Sequence, residues 1–322
     1  MNNLIEAVSR RVRNTIGRKR LAAAQNRVFD TPPAVMTPAR LNFVSMVSQR
    51  DIASYLCAIK SLYPMFGEGK VTVVNDGSLS QSDQAVIARH LPLSTIVDLA
   101  SIDVGACPHG GCWERLVHVL GLTRDNYVIQ VDSDTLTTGA TPEILNAYRD
   151  NRSFLLGTDL GLSFGPVEDT ARLVAGFPTG RDKIGCVAEM ALPDLPDSTR
   201  LLYARGSAGF AGFAQGSFEV AELEVFSRRM QELVGDRWTE WGSEQIASNF
   251  MISNAKDAIV LPYAAYSCFE PWIDLSTRVF LHFYGTYRFH RGYYRKQVLA
   301  FIKRYGSDVV GGATNSRTPA RP

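Results

Sequence analysis

NYVIQVDSD (126–134) is the stretch that decides the fold. Tyr127 to Val131 is a short, nearly all-apolar run with the length and composition of a buried strand, and it stops at Asp132-Ser133-Asp134. In extended chain, residues two apart point the same way, so both carboxylates converge on one point at the strand's carboxyl end. Left alone they repel each other. A divalent cation removes that repulsion, and hard oxygen donors suit Mn²⁺ or Mg²⁺. Such an ion can bridge the two phosphates of a nucleotide diphosphate and stabilise it as a leaving group. The plainer reading is an Asp pair that caps a turn or the next helix. The place of the strand, fourth in a series, favours the chemical one.

Upstream, strand and helix alternate. LNFVSMVS (41–48) reads as a buried strand, and Asp51 can cap a helix over 52–63. KVTVVNDG (70–77) is a strand ending in a turn, QSDQAVIARHL (81–91) a helix and STIVDLA (94–100) a third strand. GCWERLVHVLG (111–121) is a helix closed by Gly121. Four such alternations predict an α/β fold, a mostly parallel sheet with helices on both faces. Ligands of such sheets bind beyond the carboxyl ends of the strands, so the polar residues there are the first candidates.

The second half is less regular. RGSAGFAGFAQGSFE (205–219) is glycine-rich, but no GK[ST] follows, so it is neither a phosphate loop nor a dinucleotide fingerprint. It reads as a strand or loop that something approaches closely. Helices are expected over 220–235 and over 243–254, the second with Ser243 as cap. HFYGTYR (282–288) follows the apolar VFL. A histidine at a strand end can give nitrogen to a transition metal. Gly285 lets the backbone approach a phosphate, and Arg288 can pair with phosphate oxygens in bidentate fashion. The alternative is an aromatic core strand with an incidental histidine. Cys107, His109 and Cys112 are zinc-ligand types without a second pair, and read as a loop. Trp241 can stack on a sugar face, but a Trp beside a helix start reads as core.

Together the two motifs resemble the glycosyltransferase A fold, most of all family 8, the glycogenin and lipopolysaccharide galactosyltransferase relatives. Those enzymes carry a DxD after a hydrophobic strand and a late HFxGxxKPW. Asp132 and Asp134 match the DxD, with Ser133 between them. His282, Phe283 and Gly285 match the HFxG, and Arg288 stands where the family has Lys. Trp113-Glu-Arg115-Leu matches the second half of the family's Tyr-Ala-Arg-Leu. Glu244-Gln245-Ile-Ala-Ser-Asn249 matches its Asp-Gln-Asp-x-Leu-Asn in part. The likeness spans roughly residues 40–290. It implies a metal held by Asp132, Asp134 and His282, with Mn²⁺ first and Mg²⁺ as the alternative. It implies a nucleotide diphosphate sugar donor bound through Ser48, Asp76, Arg115, Ser133, Gly285 and Arg288. In a family-8-like enzyme Gln245 lies beneath the anomeric carbon, on the retaining side; in a family-2-like one Glu244 is the base for inversion. The departures are specific. Ser48-Gln49 replaces the family's Asp at the end of the first strand, VVNDGS (73–78) resembles the second strand of family 2, and Phe289-His290 replaces Pro-Trp. The acceptor, whether saccharide, lipid or protein, is not encoded in any of these motifs.

Composition sets the outer limits. The chain has 322 residues, 45% hydrophobic and 20% charged, ordinary for a globular protein. Lys+Arg 34 against Asp+Glu 32 gives +2, which gives no support to nucleic-acid binding by bulk electrostatics, and no nucleic-acid partner is expected. Five scattered cysteines build no disulfide framework and point to a reducing compartment, the cytoplasm. No apolar run is long enough to span a membrane, and the N-terminus lacks the apolar core of a secretory signal. Residues 1–28 hold seven basic residues and one acid, hence +6, which leaves −4 for the rest of the +2 chain. Leu4, Val8, Val12 and Ile16 give this segment a narrow apolar stripe, so weak peripheral contact with an anionic membrane face is expected. The expected units are a basic helix and linker (1–38, with Thr31-Pro32-Pro33 breaking the helix), a glycosyltransferase-like domain (39–305) and an unstructured tail (306–322). Two rivals remain. One is a haloacid-dehalogenase-like phosphatase with Asp132 as nucleophile, for which Gly235-Asp236 to Glu240 is a poor second motif. The other is a nucleotide-sugar-binding protein without turnover.

Overall fold

A computed structural model describes residues 2–178, 180 and 182–314. Helix α1 (Asn2–Gln25) leads into the alternating units: β1 (Leu41–Val47), α2 (Ile52–Leu62), β2 (Lys70–Asn75), α3 (Gln81–His90), β3 (Ser94–Asp98), α4 (Trp113–Leu122) and β4 (Tyr127–Val131). Then come β5 (Thr135–Thr137), α5 (Pro142–Arg149), β6 (Phe154–Gly157), β7 (Gly165–Pro166), α6 (Val167–Ala175), α7 (Ile184–Ala191), β8 (Leu202–Tyr203) and β9 (Gly206–Phe213). The chain continues through α8 (Val220–Val234), α9 (Ser243–Ser253), β10 (Ile259–Val260), β11 (Tyr266–Cys268), β12 (Phe280–His282), a 3₁₀ helix (Gly285–Gly292) and α10 (Tyr293–Thr314).

Seven strands form the central sheet in the order β10-β6-β9-β4-β1-β2-β3. All its neighbours are parallel except β9, which lies antiparallel between β4 and β6. The expected α/β architecture is therefore present. Strand residues alternate between two apolar cores: Phe43, Val47, Val71 and Val73 enter one, Val44 and Val74 the other. Helices α2 and α10 cover the first face, and α4, α8 and α9 the second. A second sheet, β11-β12-β5, stands beside the end of β4. Among the described residues no helix is long and apolar enough to cross a membrane.

Several local expectations change. Gly121 lies inside α4, not beyond it, because the helix runs on to Leu122. Asp51 precedes α2 but makes no side-chain cap bond, since its carboxylate accepts from the Ser48 hydroxyl. The cap of α9 is Gly242, at φ +103°. Ser243 is the first helical residue, and its hydroxyl accepts from the Trp113 indole N–H at 2.9 Å. In the N-terminal segment Leu21, Ala24 and Val28 are buried in the first core and Ile16, in the expected stripe, is exposed, while the side chains of Leu4, Val8 and Val12 lie outside the described ones. Helix α10 runs through residues 306–314, expected as tail. Its buried Tyr294, Val298, Phe301 and Tyr305 pay the nucleation cost, and the helix propagates from them. Residues 315–322 lie outside the described ones.

Candidate metal and donor site

The parity of β4 builds the first half of the site. Tyr127, Ile129 and Val131 face the first core and Val128 the second, so Gln130 and Asp132 share the side of α4 and α9. There Arg115 of α4 donates to Asp132 Oδ1 from one Nη, and to Glu244 Oε1 of α9 from the other at 3.3 Å. The Asp132 N–H donates to the Gly209 carbonyl at 2.8 Å, which ties the acidic turn to the antiparallel β9.

The second half arrives through the small sheet. Strand β12 runs antiparallel to β5 with His282 opposite Thr135, and the Phe283 N–H donates to the Asp134 carbonyl at 2.8 Å. This pairing carries His282 across about 150 residues to the acidic turn. Its Nε2 lies 3.1 Å from Asp134 Oδ1 and 3.6 Å from Asp132 Oδ2. Its Nδ1 lies 3.0 Å from Ser207 Oγ and 3.7 Å from Cys268 Sγ. The ring fills the space beside Gly209, where a Cβ would meet its atoms at 2.2–2.8 Å. Arg288, on the 3₁₀ helix, donates through Nη2 to Asp134 Oδ2 at 2.7 Å and through Nε to the Gly285 carbonyl at 2.8 Å. Gly285 sits at φ +55°, a conformation that favours glycine.

Two carboxylates and an imidazole whose ligand atoms all lie within 4.8 Å of one another form a donor set that fits a divalent cation. Side-chain exposures of 31% for Asp132, 13% for Asp134 and 8% for His282 leave access from the Asp132 side. Burial works against charge on His282, but Asp134 beside it outweighs burial and raises the imidazole well above its ordinary value. Burial likewise pushes Asp134 up, while His282 and Arg288 pull harder and leave it lowered. Protons and basic side chains thus balance the carboxylates, the role a cation takes when bound. Glu244 is different: burial raises it to about 7, against the pull of Arg115. Arg115 is buried too, yet Asp132 and Glu244 hold its guanidinium charged.

Ser48 and Asp76 follow the ends of β1 and β2, and Ser48 donates to the Asp51 carboxylate. The Gln49 N–H donates to Ser78 Oγ at 2.9 Å, and the Ser78 N–H to Asp76 Oδ1 at 3.0 Å. Ser133 is half-buried on the acidic turn. Gln245 is half-buried, and its Oε1 accepts from the Ala208 N–H at 3.4 Å. Cys107, His109 and Cys112 do not converge as a metal group among the described residues, and Trp241, expected in the core, is 81% exposed. Sequence reasoning missed Ser207, Gly209 and Gln130. Gln130 donates to the Ala208 carbonyl, and its Oε1 is buried without a partner. The glycine spacing of 206–212 was the available signal, since it marked a close approach without saying to what.

No protein-family model matches this sequence, and comparison with curated proteins finds no match. Among solved structures the chain is similar to the galactosyltransferase LgtC in complex with donor and acceptor sugar analogues, at 13% identity and a TM-score of 0.48, over 86% of this chain and 97% of that one. It is similar to the WbbM bifunctional glycosyltransferase at 12% identity and a TM-score of 0.47, covering 83% of this chain and 52% of WbbM, about half its length. It is also similar to mouse xyloside xylosyltransferase 1, at 12% identity and a TM-score of 0.46, over 77% of this chain and 98% of that one.

Proposed function

We propose that this chain is a metal-dependent glycosyltransferase that moves a sugar from a nucleotide diphosphate sugar to an acceptor. One observation carries the reading: two carboxylates, an imidazole and a guanidinium converge at the carboxyl end of a central strand, where sheets of this class take their ligands. Mn²⁺ or Mg²⁺ at Asp132, Asp134 and His282 would draw charge from the diphosphate of the leaving nucleotide.

The chain's own residues supply the rest. Ser207 holds Nδ1 of His282, which aims Nε2 at the carboxylates. Arg115, locked by Glu244, fixes the orientation of Asp132. Glu244 is therefore a positioning residue rather than a free base, and Gln245 is the more accessible of the two for the reacting carbon. Arg288, 32% exposed and held at Gly285, is the cation that would turn from Asp134 to a diphosphate oxygen. Ser48, Asp76 and Ser133 take the nucleoside side. Five cysteines without a disulfide suit the cytoplasm. The phosphatase reading finds no support, because Asp236 and Glu240 stand outside the one convergent donor group among the described residues.

Thermal denaturation against a panel of nucleotide sugars, with and without Mn²⁺, tests the proposal. A bound donor stabilises the fold by RT ln(1+[L]/Kd). One nucleotide class should raise Tm only when metal is present, and Asp134→Ala should abolish that shift. No shift with any donor would overturn it.

A further inference from the structure

Trp272 is 66% exposed, on the loop between β11 and β12, the strands that bring His282 to the acidic turn. It is not loosely displayed. Pro271 precedes it, and its ring meets Tyr287 nearly edge-on, with centroids 5.6 Å apart at 83°. Tyr287 meets Tyr284 in the same way, 5.6 Å apart at 89°. The Tyr284 ring stands 6.0 Å from His282. Three aromatic steps thus lead from a metal-ligand candidate to an indole in water. Tyr287 and Arg288 are adjacent on the 3₁₀ helix, so one element serves the diphosphate side and supports the platform.

The surroundings select the ligand. The Tyr284 hydroxyl donates to Glu270 Oε1 at 3.0 Å, which fixes a carboxylate two residues before Trp272. In this loop Trp272 is the one strongly exposed large apolar side chain among the described residues. A protein interface needs roughly 1,000 Å² or more, and a membrane contact needs a broad apolar face without acids. A single indole with a carboxylate two residues away meets neither need. It matches a pyranose, which has one face of C–H groups and a rim of hydroxyls.

We infer that Trp272, with Glu270 in the same loop, is the platform on which the acceptor binds, and that the acceptor is therefore a neutral saccharide. The inference rests on the transferase reading of the site. Its test is binding of the full-length protein to an array of neutral mono- to tetrasaccharides, alongside lipid and peptide arrays. Thermal shift with nucleoside diphosphates and Mn²⁺ is followed on the same samples. Wild type should bind at least one saccharide. Trp272→Ala should weaken that binding by about tenfold or more, as for a central aromatic anchor, and Trp272→Phe should restore part of it. Neither variant should change the nucleotide shift. Absence of saccharide binding, saccharide binding unmoved by Trp272→Ala, or Trp272-dependent capture on the lipid or peptide array instead would overturn the platform. Trp272-dependent saccharide binding without any nucleotide shift would leave the platform standing and remove the transferase reading.

Discussion

At His282 each ring nitrogen has its own task. Nε2 faces Asp134 and Asp132, and Nδ1 faces Ser207. Ser207→Ala should lower Mn²⁺ affinity about 10- to 100-fold, the range for losing an outer-shell partner. Isothermal titration reads this without a substrate, and unchanged affinity would show that Nδ1 is held otherwise, through Cys268. In the proposed transfer Arg288 is the complementary case, since its charge would count most as the diphosphate leaves. Arg288→Ala should reduce turnover by about 10²–10³, the range for one lost charge-stabilising donor. Arg288→Lys should recover part of the loss but not all, because an ammonium lacks the bidentate fork that Arg offers. Steady-state kinetics at saturating donor separate these outcomes, and wild-type rates in Arg288→Ala would remove the residue from the reaction.

In helix α1 the side chains of Leu4, Val8 and Val12 lie outside the described ones and Ile16 is exposed; Leu21 and Ala24, with Val28 just beyond the helix, are buried. Gly17 packs against the 3₁₀ helix, since a Cβ there would lie 3.0 Å from Phe289, and Arg18 lies over the same ring at 5.7 Å. The helix therefore braces the 3₁₀ element that carries Arg288. Deleting residues 1–28 should destabilise the protein and impair Arg288 with it. Deleting 1–15 spares every buried residue described in this helix and should leave the denaturation midpoint nearly unchanged. Leu21→Ala should cost about 2–5 kcal/mol, as for other buried leucines. Chemical denaturation checks all three, and a wild-type midpoint after deletion of residues 1–28 would show that α1 is dispensable.

Across the whole molecule, a buried polar knot links the N-terminal linker to the sheet layers. Lys60 Nζ donates to Thr31 Oγ1 at 2.9 Å and to the Pro32 carbonyl at 2.7 Å, lies 2.8 Å from His90 Nδ1, and sits over the Tyr305 ring at 5.2 Å. Burial, with Lys60 and Arg89 nearby, lowers His90 to about 4 from the ordinary 6.5. A depressed histidine binds fewer protons folded than unfolded, so its contribution to stability falls as pH drops from 6.5 to 4 and is constant above that window. Glu244, raised to about 7, gives a slope of opposite sign between 4.5 and 7. Comparison with His90→Gln isolates the histidine: the wild type should lose stability relative to the variant as pH falls through 6.5 to 4. A pH-independent difference between the two proteins would show that His90 does not titrate in this way.

Local pattern settled β1 to β4, helices α1 to α4, α8 and α9, and the acidic turn, because the period of apolar residues and the polar stop after Val131 are properties of a few neighbouring residues. It also picked out His282, Gly285 and Arg288 as a unit. Tertiary structure alone decided that β12 pairs with β5, which sets His282 against Asp134, and that β9 enters antiparallel between β4 and β6, which places Ser207 and Gly209 around the imidazole. It decided too that Glu244 is consumed by Arg115, and that the N-terminal helix belongs to the core. These are contacts between residues tens to more than a hundred positions apart. Their partners are chosen by how whole layers pack and how long loops close, and no local period in the sequence records that choice.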